Sequence, residues 1–295
     1  MKARADVVTL VTSEDAERSA RLLVDSLRAF GGPLADCAVW AFVPASTTGL
    51  GSELADAGVR VVPLDVPEEL ARYPFGAKVT ACALAEEMIG VGGRVLIWMA
   101  PQCLVVAPPV LLDPAGDARA AFRTVHISNI GSRVSEPVDG FWKEIYARAG
   151  VGDPGFTVES IVDEVTLRPY FNTHLFSVGS SVGLSRRWLE VFSEAVRDDA
   201  FQSGACSDER HRIFLHSALL SALAVGMMPR ERIRMLPLEY SYPLEFHARL
   251  PEHKRVADLG DLVCPVYEGA YSHPATLGGI GVRNPLGAWL AERAG

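Results

Sequence analysis

The stretch RVLIWMAPQCLVV, residues 94–106, decides how the chain is read. Val95, Leu96, Ile97 and Trp98 form an unbroken apolar run of strand length, and Leu104, Val105 and Val106 resume one after a break at Ala100-Pro101-Gln102. An apolar run without alternation marks a strand buried on both faces, which is the character of a parallel sheet sandwiched between helices. The uncharged run extends from Val95 to Leu112, 18 residues, long enough to be weighed as a membrane span. Pro101, Pro108, Pro109 and Gln102 fall inside it, and prolines at that density break a spanning helix.

Upstream, strand and helix signals alternate. Residues 6–12 (DVVTLVT) are a β-branched run, and Ser13 offers an N-cap to a helix with Glu14, Asp15 and Glu17 in its first turn. Leu22, Leu23, Leu27 and Phe30 recur at helical spacing until Gly31-Gly32-Pro33 stops the helix. Residues 37–43 predict a second strand, 51–57 a short helix, 59–66 a third strand, 77–89 a helix and 94–99 a fourth strand. This order predicts a mostly parallel sheet with helices on both faces, whose ligands bind beyond the carboxyl ends of the strands. The loops after Thr12, Val66 and Met99 should therefore meet on one edge.

The second half predicts a mixed arrangement: strands over 121–127 and 170–178, helices over 138–149, 186–197 and 207–228, and short strands at 234–237 and 262–266. One domain over residues 1–295 is expected, with a change of character between residues 1–112 and 113–295.

Composition excludes several classes. The chain carries 28 Lys and Arg against 36 Asp and Glu, a formal net charge of -8 with no long basic run, which argues against a nucleic-acid partner. No Gly-x-Gly-x-x-Gly or Walker lysine loop follows the first strand, and neither His-Glu-x-x-His nor Gly-x-Ser-x-Gly occurs. Five scattered cysteines contain no Cys-x-x-Cys pair and suit small buried hydrophobes. The apolar core near the N-terminus is too short for a signal peptide, so a soluble, cytoplasmic protein without a membrane span is expected.

Several segments in order resemble the nucleotide-diphospho-sugar transferases, glycosyltransferases of the GT-A fold. They are the first strand with its Thr-Ser-Glu loop, Tyr73-Pro74-Phe75-Gly76-Ala77-Lys78 before a helix, RVLIWMAPQCLVVAPP, Arg168 to His174 (RPYFNTH), and Ile213-Phe214-Leu215-His216 with the later Leu236-Pro237 and Tyr240-Ser241-Tyr242-Pro243. The resemblance spans roughly residues 6–275. It implies a GT-A-like α/β fold, a nucleotide-sugar donor and a separate acceptor, with residues 1–112 as the nucleotide-binding half and 113–295 as the acceptor-side half. It also implies a strand ending in Asp-any-Asp that holds a divalent cation. Here Ala100 and Gln102 stand at those positions; an alanine ligates nothing, and a lone amide oxygen is a weak ligand for a hard cation. No metal ligands are assigned, and any transfer is expected to be metal-independent or weakly metal-dependent.

Charge grows on the diphosphate as the glycosidic bond breaks, so other positive groups must meet it. Lys78 at a helix start is one candidate; Arg123, Arg133 and His273 are others. Thr12, Ser13, Gln102 and Asn172 complete the expected donor-binding set. For a general base the candidates are Asp208, Glu209 and His174, with Asp163 and Glu164 as alternatives. Asn172 and His174, two apart on a strand, share a face and suggest a pocket wall, whereas acids such as Asp208 also suit an ordinary N-cap. The rival reading is a catalytically degenerate GT-A-like binding or interaction protein, whose edge pocket would be filled by Trp98, Met99 or His174.

Overall fold

The computed structural model describes residues 4–90, 94–114, 118–267 and 279–293. In chain order the elements are β1 (Ala5–Leu10), α1 (Glu14–Phe30), β2 (Ala38–Pro44), α2 (Ser52–Asp56), β3 (Arg60–Leu64), α3 (Glu68–Ala71), α4 (Gly76–Ile89), β4 (Val95–Met99) and β5 (Ala120–Thr124). They continue as α5 (Gly140–Ala149), β6 (Val158–Glu159), β7 (Thr166–Leu167), β8 (Phe171–Gly179), α6 (Leu184–Arg197), α7 (Asp199–Ser203) and α8 (Glu209–Met227). The last are β9 (Ile233–Met235), β10 (Tyr240–Pro243), β11 (Cys264–Val266) and α9 (Leu286–Ala291).

Seven strands form the central sheet in the order β3-β2-β1-β4-β8-β5-β9. β1, β2, β3 and β4 pair in parallel, as do β5 and β9, while β8 runs antiparallel to both its neighbours. The sheet is thus mostly parallel, as the apolar run of β4 requires: all five of its residues are buried. Alternation along the strands sends side chains to two different cores. Val8, Leu96 and Trp98 pack with α4, α5, α6 and α8, whereas Val7, Ile97 and Met99 pack with α1 and α2. A third cluster gathers Leu104, Tyr242, Leu250, Leu259, Tyr267 and Leu290 beyond the sheet. Burial of each large apolar side chain stabilises the fold by about 1.5–3 kcal/mol relative to exposure.

Two corrections concern the opening stretch and its neighbours. Residues 104–106 do not form a regular strand; they run extended, with Leu104 N donating to Pro265 O (3.0 Å) and Val106 N to Val263 O (2.9 Å), and only Cys103 forms a bridge, to Val266. The Ala100-Pro101-Gln102 turn takes the chain out of the main sheet, so Leu104 and Val106 serve the third core while Cys103 and Val105 stay with the α1 side. The expected strand over 121–127 stops at Thr124 because the β5–β8 register shifts between Phe122 and Thr124, which releases Val125, His126 and Ile127 toward the edge where the strands end. Among the described residues no helix is long and apolar enough to cross a membrane.

Candidate functional site

The carboxyl ends of β1 and β4 open onto one cavity of about 690 Å³, lined by Leu10 and Thr12, by Tyr73 and Phe75 to Lys78 from the segment that leads from β3 into α4, and by Ala100, Pro101 and Gln102. The three loops expected to meet do meet there. The opposite wall comes from the end of β5 and the start of β8, with His126, Asn172, Thr173 and His174, and from α8 with Phe214 and His216.

Lys78 is the cation of this cavity. It is 6% exposed, one turn into α4, and its Nζ donates to the Thr173 carbonyl. The ammonium lies 5.2 Å from the Trp98 ring centroid and 5.6 Å from that of Phe75, so two aromatic faces hold it. Local backbone geometry places it there. Phe75 takes a left-handed conformation (φ +61°) that turns the chain into the helix, and Gly76 follows because a Cβ at that position would stand 2.0 Å from Leu70 O. The first turn of α4 has no side-chain cap; Gly76 N donates to Tyr73 O (3.0 Å), and Gly76, Ala77 and Lys78 all line the cavity.

Three histidines line the wall, each oriented through an acceptor. His216 donates from Nδ1 to Ile213 O (2.9 Å), so its Nε2 accepts from the Thr173 hydroxyl (3.0 Å). Burial first, and then the positive charge of Lys78, holds the His216 imidazole well below its ordinary value, so it is neutral at pH 7. Phe75 stacks on it at 4.0 Å between centroids. His126 Nε2 meets Ser241 O at 2.8 Å, and His174 Nδ1 meets Asn172 Oδ1 at 2.8 Å; the His126 and His174 rings stack 5.4 Å apart. Asn172 Oδ1 also accepts from the His174 amide at 2.7 Å, which fixes the pair as one unit.

The expected site residues divide. Thr12, Lys78, Gln102, Asn172 and His174 come together around this cavity. Ser13 instead caps α1, accepting from Ala16 N at 3.2 Å. Asp208 caps α8 and lies with Arg133 in a second cavity of about 520 Å³, while Glu209 is exposed and lines neither. Asp163 accepts from Ser128 N (3.0 Å), Ser128 Oγ (2.5 Å) and Ser160 Oγ (2.6 Å); burial raises its carboxyl pKa, but these hydrogen bonds outweigh that and lower it. Glu164 pairs with Lys254 at 2.9 Å. Arg123 lies away from the larger cavity's lining, its pKa pushed down to about 10 by burial. His273 lies outside the described residues. Sequence reasoning missed His126 and His216 as wall residues because the segments that orient them, Ser241 and Thr173, are distant in sequence.

A divalent cation does not fit the described lining. It carries no Asp or Glu, and among the described residues no group of three or more His, Cys, Asp or Glu could hold a metal ion. Hard cations need charged oxygen ligands, and Ala100 offers no donor atom on its side chain.

A mostly parallel sheet with a single antiparallel strand inside it, and a ligand-sized cavity at its carboxyl edge, defines a GT-A-like α/β fold. A crystal structure described as an active-site mutant of LgtC shares that fold with a TM-score of 0.53 and 14% identity, over 98% of this chain and 93% of that one. A second, described as the galactosyltransferase LgtC in complex with donor and acceptor sugar analogs, aligns at a TM-score of 0.48 and 14% identity over the same shares. No curated protein matched. Residues 7–211 match the Rhodobacterales glycosyltransferase domain, and the chain belongs to that family.

Proposed function

We propose that the chain transfers a glycosyl group from a nucleotide-diphosphate donor to a hydroxyl acceptor, with Lys78 and the first turn of α4 meeting the diphosphate charge in place of a divalent cation. In this step the acceptor oxygen forms a bond to the sugar's anomeric carbon. The bond from that carbon to the diphosphate oxygen breaks, and its electron pair leaves with the diphosphate. The acceptor hydroxyl gives up its proton. Of the three expected bases only His174 lines the larger cavity, and its Nδ1–H, donated to Asn172 Oδ1, places the ring's lone pair on Nε2, which takes the proton. Supporting this reading are the family, the fold and, above all, one observation: a buried ammonium held by two aromatic rings inside a cavity whose described lining has no carboxylate.

Titrating the purified chain by calorimetry with a panel of uridine and guanosine diphosphate sugars, with and without manganese, tests it. At least one donor is expected to bind, with an affinity that manganese changes by less than about threefold; no binding across the panel overturns the reading. The degenerate alternative draws on the same missing carboxylates, but its filled pocket is at odds with the open volume beside Trp98 and His174. Transfer or hydrolysis of a donor that binds separates the two.

A further inference from the structure

Past the larger cavity lies the second, and the two share Asn129. Asn129 is exposed and left-handed (φ +44°), and it sits on a loop that Asp163 pins from below through both Ser128 N and Ser128 Oγ. Arg168 holds the far side of the same loop through Ser132 Oγ (3.0 Å) and Glu136 O (3.2 Å). The saddle between the cavities is therefore fixed rather than draped.

The chemistry on the two sides differs in kind. The larger cavity is walled by Lys78, three histidines and aromatic rings, with no carboxylate in its described lining. The second is lined by Glu136, Asp139, Asp208, Arg133, Arg210 and His211, with Arg133 Nε 3.9 Å from Glu136 Oε1. Asp139 and Asp208 each commit Oδ1 to their own helix, accepting from Trp142 N at 2.8 Å and from Arg210 N at 2.8 Å. The other oxygen of each makes no hydrogen bond among the described residues. His211 lies flat on Phe141, centroids 4.2 Å apart and planes 13° apart, which presents a fixed imidazole face.

We infer that this second cavity is a subsite for the non-reacting part of a neutral, polyhydroxylated acceptor, such as the outer units of an oligosaccharide. Three carboxylates against two arginines repel a diphosphate, so a second donor phosphate is not its occupant. Carboxylate acceptors and guanidinium donors in one lining suit vicinal hydroxyl groups, which donate and accept together. A flat ring face suits the apolar side of a pyranose. An acceptor reaching over Asn129 would place one hydroxyl in the larger cavity while its remainder is held in the second. The inference rests on the transferase reading for its place in the reaction, and on the second cavity's own side chains for its ligand class.

The test uses the full chain and three neutral disaccharides (lactose, maltose and cellobiose) as probes in saturation-transfer NMR, with glucose 6-phosphate as the anionic comparison. At least one disaccharide is expected to bind with Kd of roughly 1–10 mM. Asp208→Ser keeps an N-cap but removes the second carboxylate oxygen, and Arg210→Gln removes the guanidinium. Each is expected to weaken disaccharide binding at least about tenfold, with the melting temperature and nucleotide-diphosphate binding unchanged. A chain that binds a nucleotide diphosphate but no disaccharide overturns the subsite and leaves the donor reading standing. Binding that survives both substitutions, or glucose 6-phosphate binding more tightly than every neutral probe, also overturns it. A chain that binds disaccharides through Asp208 and Arg210 but no nucleotide keeps the ligand class and sinks the transferase reading.

Discussion

Lys78→Met isolates the charge on which the proposed donor site depends. Methionine keeps an unbranched stem between Trp98 and Phe75 and removes only the ammonium. At an effective dielectric constant of about 20, a positive charge about 4 Å from one phosphate charge is worth about 4 kcal/mol. Water and counterions reaching an open cavity halve that to about 2 kcal/mol. Nucleotide-diphosphate affinity is therefore expected to fall by between about 30- and 700-fold. The fold should tolerate the change, because two effects oppose each other. The Thr173 carbonyl loses a donor, at about 1–3 kcal/mol, while the desolvation of a buried ammonium is relieved. Calorimetric titration in the presence of a chelator, with a melting curve beside it, reads both quantities. Affinity within threefold of the unsubstituted chain, at a melting temperature within about 5 °C, refutes the role assigned to Lys78.

Three further outcomes follow from the same geometry. Stripping divalent cations with a chelator and restoring manganese should alter donor affinity by less than about threefold; a tenfold gain with manganese would place charged oxygen ligands at the site. Gly76→Ala forces its new Cβ against Leu70 O and should destabilise the chain by roughly 2–4 kcal/mol in denaturant melts, with a change under about 0.5 kcal/mol contradicting the turn. His216 is depressed in the fold and ordinary when unfolded, so below about pH 6.5 the unfolded chain binds the extra proton and stability falls as pH falls, by up to about 1.4 kcal/mol per pH unit. His216→Gln should flatten that slope between pH 6.5 and 5.5, and an unchanged slope in urea melts would show that His216 titrates normally.

The sheet was legible because its signals are local. A β-branched run, a cap serine and a Gly-Gly-Pro stop each act within a few residues, and β1 with α1 came out close to its expected bounds. The same logic placed Asn172 and His174 together, since period two is a property of any strand. It failed where a distant segment decides. Asp208 and Glu209 read as acids in a first turn with either a capping or a catalytic role, and the side on which α8 starts is set by its packing on α5 and α6. Asp163 looked like a spare base until Ser128, 35 positions earlier, closed on it. The very short β6 and β7 carry no periodicity at all and exist because each completes the other.

The two cavities differ in the sign of the charges that line them. A divalent ion brings a compact double charge, but it requires carboxylates of its own, and these repel the diphosphate whenever the ion is absent. Lys78 is part of the scaffold. Its charge is fixed to the scaffold by a main-chain carbonyl and two rings, and the donor meets a site whose described lining has no competing anion. Carboxylates line the second cavity, across Asn129, where on the proposed reading a neutral acceptor would use them and a misplaced phosphate would be repelled. On the proposed reading, separating the signs in this way would trade transition-state charge stabilisation for independence from metal supply: one ammonium supplies half the charge of a divalent cation. A transferase built so should be slow per site yet insensitive to chelators, and a turnover number that rises steeply with added manganese would contradict that division of charge.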